Sequence, residues 1–276
     1  MAGPPTGPTV RRPEAEIVGR IAAGGPAVVA LSGGVDSALV AAFAREALGD
    51  RAVAVTLTGT AVAAEELASA RSVAAAIGIE HRTVDADPLE REAYRANGLD
   101  RCYHCRSVET AALRNWGAAR GYVQYLDGVQ ADDLGDDRPG LRAMDEAGFS
   151  HPLLAAGWGK GAVRDAARRR GLPNWDRASN ACLASRVAPG QEVTAGLLHR
   201  IEAAEAVLRA AGFRRVRVRV DAGTARVVVD PDEVGRLLAE PLASELVGRI
   251  RATGFDRVTI DPHGYGALRA ALPVVP

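Results

Sequence analysis

Lysine is nearly absent from this chain of 276 residues: among 34 basic residues only Lys160 is lysine, and the rest are arginine. Such a bias has the character of a GC-rich genome rather than of a function. A charge excess of either sign is also missing, since 34 basic residues face 34 acidic ones. That balance excludes a generic nucleic-acid or membrane-surface binder and leaves room only for local patches. No apolar run approaches the roughly 20 residues of a membrane span. The stretch Met1 to Pro13 is rich in Pro and Gly and has no apolar h-region. It is expected to be a disordered lead-in (1–13) rather than a signal peptide, with a cytoplasmic location. Internal repeats are lacking. Cysteine is scarce, with three in all, and two of them form Cys102-x-x-Cys105. In a reducing compartment that spacing favours metal or redox chemistry over a structural disulfide.

Hydrophobic residues make up 47% of the chain, enough for a sizeable core, and the length suits one large or two modest domains. Periodicity predicts helices over 14–23, 37–48, 63–77, 89–96, 106–121 and 161–170. Strands are predicted over 27–31, 52–57, 81–84 and 122–127. This alternation argues for an α/β fold, a parallel sheet with helices on both faces, over 14–193. The polar stretch 174–191 has little periodicity. A smaller α+β domain is expected over 194–276, with helices 197–211, 232–240 and 242–253 and strands 216–220, 225–229 and 257–260.

The chemistry centres on the apolar run Val28 to Leu31, which ends in Ser32-Gly33-Gly34-Val35-Asp36-Ser37 and feeds a helix. Glycines let backbone N–H groups approach an anion, and a helix N-terminus adds free donors. The hydroxyls of Ser32 and Ser37 and the carboxylate of Asp36, a magnesium ligand, complete a phosphate cradle. It lacks the Lys-Ser/Thr ending of a Walker loop and resembles the PP-loop of enzymes that split ATP between its α and β phosphates. Ligands of parallel sheets sit beyond the carboxyl ends of the strands. Leu31, Thr58 and Gly128 fall there, and so does the acidic turn 127–133 with Asp132, so all four join the ATP-site candidates. Lys160 is a compact charge in a chain that otherwise uses arginine, which suits a phosphate. Cys102 and Cys105, one helical turn apart or around a tight loop, make half of a metal site. Cys182 lies far along the chain in Ala181-Cys182-Leu183-Ala184-Ser185-Arg186. In strand geometry Arg215, Arg217 and Arg219 share one face and could bind a phosphate monoester.

Taken together, the PP-loop, Arg101 to Cys105, Asp127 to Gly135, Arg138 to Leu141 and Ala181 to Arg186 resemble the LarE family, from about Ile17 to Tyr265. The resemblance implies an ATP-dependent sulfur transferase of nickel-pincer nucleotide biosynthesis. Its substrate would be a small molecule, pyridinium-3,5-biscarboxylic acid mononucleotide. ATP would adenylate a carboxylate, a sulfur nucleophile would displace AMP, and a thiocarboxylate would result. By the resemblance Ser32, Gly33, Gly34, Asp36 and Ser37 hold pyrophosphate and Mg2+, and Arg186, Arg217 and Arg219, beside Ser185, hold the substrate's phosphate. Family members with three cysteines are thought to carry a 4Fe–4S cluster that delivers sulfide, so Cys102, Cys105 and Cys182 are the expected ligands. Members with one cysteine surrender the sulfur of the residue matching Cys182. A sulfide donor and a homo-oligomer are expected; nucleic acid and membrane are not. Val187-Ala188-Pro189-Gly190 and Gly264 to Leu268 depart from the family's pattern. Two rivals are a PP-loop tRNA thiolase, disfavoured by the neutral charge and the lack of an N-terminal cysteine-rich module, and a regulatory module that keeps ATP intact.

Overall fold

The structure, a computed structural model, describes residues 12–135, 139–178 and 180–266. Most of the expected lead-in, Arg138 of the Arg138 to Leu141 motif, and Ala267 and Leu268 lie outside the described residues. In chain order the elements are α1 (Arg12–Ala23), β1 (Ala27–Ala30), α2 (Val35–Leu48), β2 (Ala52–Thr58), α3 (Ala64–Ile77), β3 (Glu80–Asp85), α4 (Glu92–Arg95), α5 (Arg101–Ala118), β4 (Gln124–Leu126), α6 (Pro139–Glu146), α7 (Pro152–Ala155) and α8 (Lys160–Arg169). Then follow α9 (Ala195–Ala210), β5 (Val216–Asp221), β6 (Thr224–Val229), α10 (Val234–Leu238), α11 (Leu242–Arg251) and β7 (Arg257–Ile260). The chain divides into two compact units, residues 12–91 with 100–180, and residues 92–99 with 181–266.

The first unit is the expected α/β layer structure. Its sheet runs β3-β2-β1-β4 and every pair is parallel. Strand β1 is central, with Val28 opposite Val53 on one side and Tyr125 on the other. A strand covered on both faces must be apolar at every position, and Val28 and Val29 are both fully buried. Their side chains enter different cores. Val29 joins Ile17, Leu39, Phe43 and Val163 beside α1, α2 and α8, while Val28 joins Val53, Leu113, Tyr125 and Met144 beside α5 and α6. Gly78 ends α3 in the left-handed region at φ 71°, where its N–H closes the last turn on Ala74 O. Strand β3 is one outer strand, and its sequence Glu-His-Arg-Thr-Val-Asp carries the polar side chains that an edge tolerates.

Three local expectations are corrected. The helix expected from Arg106 begins at Arg101, so Cys102 and Cys105 lie in its first two turns. The helix expected over 89–96 is a 3₁₀ turn at Pro88–Glu90 and then α4, because the Asp87 side chain caps Leu89 N and Arg91 is extended. Helices α6 and α7 were not foreseen. Helix α6 has eight residues, too short a window for a helical period to be read from sequence.

The second unit carries a three-stranded sheet, β5-β6-β7, antiparallel between β5 and β6 and parallel between β6 and β7. Helix α9 starts at Thr194, whose hydroxyl accepts from Leu197 N, and it buries Leu198, Ile201 and Leu208. This unit begins at Ala181 and recruits 92–99, ahead of the expected residue-194 boundary. Asn97 is the reason. It is 1% exposed, sits at φ 56°, and its amide donates to Ala188 O (2.8 Å) and Gln191 O (3.1 Å). The N–H groups of Gly190 and Val193 bond back to Asn97 O and Arg95 O.

Candidate active site

In the first unit β1 ends at Ala30, and Leu31 is still tied to the sheet through its N–H to Val55 O. Thr56 Oγ1 donates to Leu31 O at 2.7 Å and meets His81 Nε2 at 2.8 Å. The Ser32–Ser37 turn closes on itself. Ser37 Oγ donates to Gly34 O and lies 3.1 Å from Ser32 Oγ, which accepts from Gly34 N. Gly33 has φ +83°, and a Cβ there would stand 2.5 Å from Glu66 O, so neither the conformation nor the space admits a side chain. Helix α2 begins at once, with Gly34 at its N-cap and no side-chain cap, leaving its first N–H groups open to a ligand.

The candidates Asp36, Lys160 and Asp132 come together. Lys160 Nζ lies 2.5 Å from Asp36 Oδ2, and Asp132 Oδ2 accepts from Lys160 N at 2.8 Å, at the N-terminus of α8. Asp36 Oδ1 is buried without a hydrogen-bond partner. Such an oxygen suits a hard cation, so the residues present fit Mg2+. Gly128 follows β4 so closely that a Cβ on it would be 2.5 Å from Ser37 N. Thr58, at the end of β2, turns its hydroxyl to Asp85 Oδ1 at 3.3 Å.

Beside this cradle stands a group that sequence reasoning missed. His151 Nδ1 meets Asp127 Oδ1 and its Nε2 meets Asp145 Oδ1, each at 2.8 Å. Burial works to lower the imidazole, but the bonds and charges of Asp127 and Asp145 outweigh it and raise the pKa to about 8. Only the acidic turn around Asp127 hinted at this. A cavity of about 290 Å³ lies behind the loop, lined among others by Ser69, Asn174 and Arg177.

In the second unit Cys182 is exposed and caps the 3₁₀ turn Leu183–Arg186. Arg186 is 2% exposed and forms a fork with Glu205, Nε to Oε1 at 2.8 Å and Nη2 to Oε2 at 3.1 Å. Its remaining nitrogen donates to the carbonyls of Ala181 and Cys182 and to Ser185 Oγ. Ser185 Oγ itself donates to Cys182 O at 2.7 Å. Arg186 therefore grips the cysteine's own backbone. Glu205, unforeseen, also accepts from Val218 N and Arg209; a glutamate on the otherwise apolar buried face of α9 was its one signal.

Arg217 is 8% exposed and Arg219 is exposed. Burial, and then the charge of Arg186, hold the Arg217 guanidinium below its ordinary pKa. Arg215 stacks on Tyr265 at 3.5 Å from the ring centroid, and Arg217 lies 5.7 Å from the same ring. Burial works to raise the Tyr265 phenol, but a bond from Arg215 and the charges of Arg217, Arg215 and Arg219 outweigh it, holding it below the usual tyrosine value. Arg215 and Arg217 beside one ring make this surface locally positive.

Cys102 is exposed and Cys105 half-buried, with Cys105 Sγ donating to Glu109 Oε1 at 3.4 Å on α5. Among the described residues no three His, Cys, Asp or Glu side chains are grouped to hold a metal ion. Cys102 and Cys105 belong to the first unit and Cys182 to the second. No helix among the described residues is long and apolar enough to cross a membrane.

A family model described as NAD synthase matches residues 17–125, the part that holds the cradle and all of β1 to β3. An uncharacterized protein of Synechocystis is 39% identical over 87% of this chain and 89% of its own length. The pyridinium-3,5-bisthiocarboxylic acid mononucleotide synthase of Lactiplantibacillus plantarum is 33% identical over 86% of both chains. A tRNA-specific 2-thiouridylase of Rhizorhabdus wittichii is 38% identical, but over only 45% of this chain and 35% of its own. With the PP-loop in place at the end of β1 and a named relative matched along most of its length, this chain belongs to the LarE family, a sulfur-transfer branch of the ATP-using PP-loop enzymes.

Proposed function

We propose that this protein is an ATP-dependent sulfur transferase that converts a carboxylate of pyridinium-3,5-biscarboxylic acid mononucleotide to a thiocarboxylate in the cytoplasm, on the way to a nickel-pincer nucleotide. The observation that carries the reading is the Ser32–Ser37 cradle with Asp36 and Lys160 in contact at its rim. The substrate carboxylate attacks the α-phosphorus of ATP, and pyrophosphate leaves into the cradle with its charge met by backbone N–H groups, the α2 N-terminus and Lys160. Asp36 would hold Mg2+, which when bound would further screen that charge. Thr58, Gly128 and Leu31, at the strand ends, border the nucleotide. Arg217 and Arg219, with Arg215 and Tyr265 around them, receive the phosphate of the mononucleotide. Arg186 serves Cys182 rather than that phosphate, because Glu205 and the loop carbonyls already take its donors.

An acyl adenylate is a good acyl donor and a thiolate a strong nucleophile. Sulfur attacks the acyl carbon and AMP departs. We infer that Cys182 is the transferring residue, because it is exposed and its backbone is held by a buried arginine. With Cys182 as donor, the resulting thioester loses the proton on the cysteine Cα, its Cβ–S bond breaks, and the thiocarboxylate leaves dehydroalanine behind. A cluster on Cys102, Cys105 and Cys182 that delivers sulfide is the alternative that the resemblance implies for three cysteines. Mass spectrometry after turnover decides the source: Cys182 lighter by one H₂S is expected. An intact Cys182, together with iron and acid-labile sulfide in anaerobically purified protein, would overturn the sacrificial route in favour of sulfide delivery.

The ATP half is tested by pyrophosphate release in the presence of the biscarboxylic mononucleotide. Asp36→Asn removes the cation's ligand and is expected to slow release by roughly 10²–10³-fold. Unchanged release in that variant would sink the assignment, and co-purifying RNA with a steep salt dependence would favour the tRNA thiolase reading.

A further inference from the structure

The most heavily held group in the loop is the carbonyl of Gly33. It accepts from Ser69 Oγ at 2.9 Å, Asn174 Nδ2 at 2.9 Å and Arg177 Nη1 at 3.4 Å. Ser69 belongs to α3, and the other two follow α8. None of the three carries a role in the reaction as proposed. Arg177 is itself anchored, with two bonds to Glu66 at 2.7 and 2.8 Å.

The reason for holding this carbonyl lies in the backbone. Gly33 sits at φ +83° and a second glycine follows, so the Gly33–Gly34 peptide turns over at less steric cost than any peptide with side chains beside it. That peptide is trans, so its N–H points opposite to its C=O. With the carbonyl drawn to α3 and the 174–177 turn, the Gly34 N–H lies on the other side, against Ser32 Oγ in the cradle. Turned over, the same peptide would present a carbonyl oxygen to the phosphates and repel them. Asn174 makes the purpose plain. It is 4% exposed, its amide nitrogen bonds Gly33 O, and its Oδ1 is buried with no partner. Among the described residues, the one side-chain hydrogen bond this buried carboxamide makes is therefore the one to Gly33 O.

We infer that Asn174, assisted by Ser69, is a positioning residue of the pyrophosphate cradle: it locks the Gly33–Gly34 peptide so that its C=O is turned away from the anion and its N–H, donated to Ser32 Oγ, stays on the cradle side. The inference rests on the ATP-cleaving reading of the loop and adds to it the residues that pre-organise the site. The full chain is compared with Asn174→Asp, Ser69→Ala and Ser69→Thr by calorimetric titration with magnesium pyrophosphate and by steady-state kinetics in ATP. Asn174→Asp keeps the shape but turns an acceptor on an acceptor. It is expected to raise the pyrophosphate Kd and the KM for ATP about tenfold or more, with kcat changed less. Ser69→Ala raises both a fewfold, and Ser69→Thr, which keeps the hydroxyl, restores them. Unchanged Kd and KM in folded Asn174→Asp, or equal losses in the two Ser69 variants, would overturn the inference. Should Asn174→Asp fail to fold, the Ser69 pair decides alone. Wild-type protein that neither binds pyrophosphate nor releases it from ATP would instead overturn the reading of the loop.

Discussion

Lys160 shows how much one side chain can say. Its rarity among arginines marked it in the sequence, and the structure puts its Nζ 2.5 Å from Asp36 Oδ2. An ammonium is a compact charge that can serve a carboxylate and a phosphate oxygen at once, while a guanidinium is a planar fork that needs room and a fixed plane. Lys160→Arg is therefore expected to lower kcat/KM for ATP by about 10- to 100-fold with little change in thermal stability. Pyrophosphate-release kinetics check this, and wild-type values would make the lysine incidental. Arg186 teaches the opposite lesson. The motif that contains it was legible, but its partner Glu205 was not, and the partner decides what the arginine does.

At the scale of elements, the cradle depends on how β4 ends against α2. Gly128 lets the two backbones touch, since a Cβ on it would meet Ser37 N at 2.5 Å and Asp36 C at 2.8 Å. Backbone cannot swing aside as a side-chain tip can. Gly128→Ala is expected to destabilise the protein by about 1–3 kcal/mol through overpacking and to weaken ATP cleavage by more than that loss explains, because the shift falls on Asp36 and Ser37. Chemical denaturation and pyrophosphate release, measured together, separate the two effects. The elements that carry the cradle were legible because a buried parallel strand is apolar throughout and its helices repeat every 3.6 residues. Helix α6 was not, because its eight residues are too few for a helical period to show.

For the whole molecule, two ion-paired groups, buried Glu14 and half-buried His151, shape stability against pH in opposite directions. Burial opposes ionisation of Glu14, but hydrogen bonds from Arg169 and Arg170 outweigh it and lower its pKa below 4.5. A depressed carboxylate contributes stability that is complete above the unfolded value and lost as pH falls through the folded one. His151 is the reverse case, raised from 6.5 to about 8. Its contribution is complete below about pH 6.5 and lost as pH rises through about 8. Stability is therefore expected to peak between about pH 5 and 6.5, and to fall by on the order of 1 kcal/mol toward pH 8.5 after allowance for solvent screening. Thermal unfolding across that range is the measurement, and His151→Gln should flatten the alkaline limb while leaving the acid limb in place. An alkaline limb that persists in His151→Gln would assign the loss to another group.

By itself the sequence determined the parallel α/β layer, the place of the Ser32–Ser37 turn at the end of β1, the family, and the choice of Asp36 and Lys160 as site candidates. These follow from short-range rules: strand and helix periods, the freedom of glycine, and chemistry borne by adjacent residues. Only the tertiary structure decided which groups hold the cradle in shape. Asn174 reaches Gly33 O across 141 residues of chain, Lys160 reaches Asp36 across 124, and Asp127 meets His151 only because the chain after β4 turns back to it. No spacing encodes such partners. A buried donor or charge must find a counterpart wherever the fold brings one near, and the fold alone sets that list.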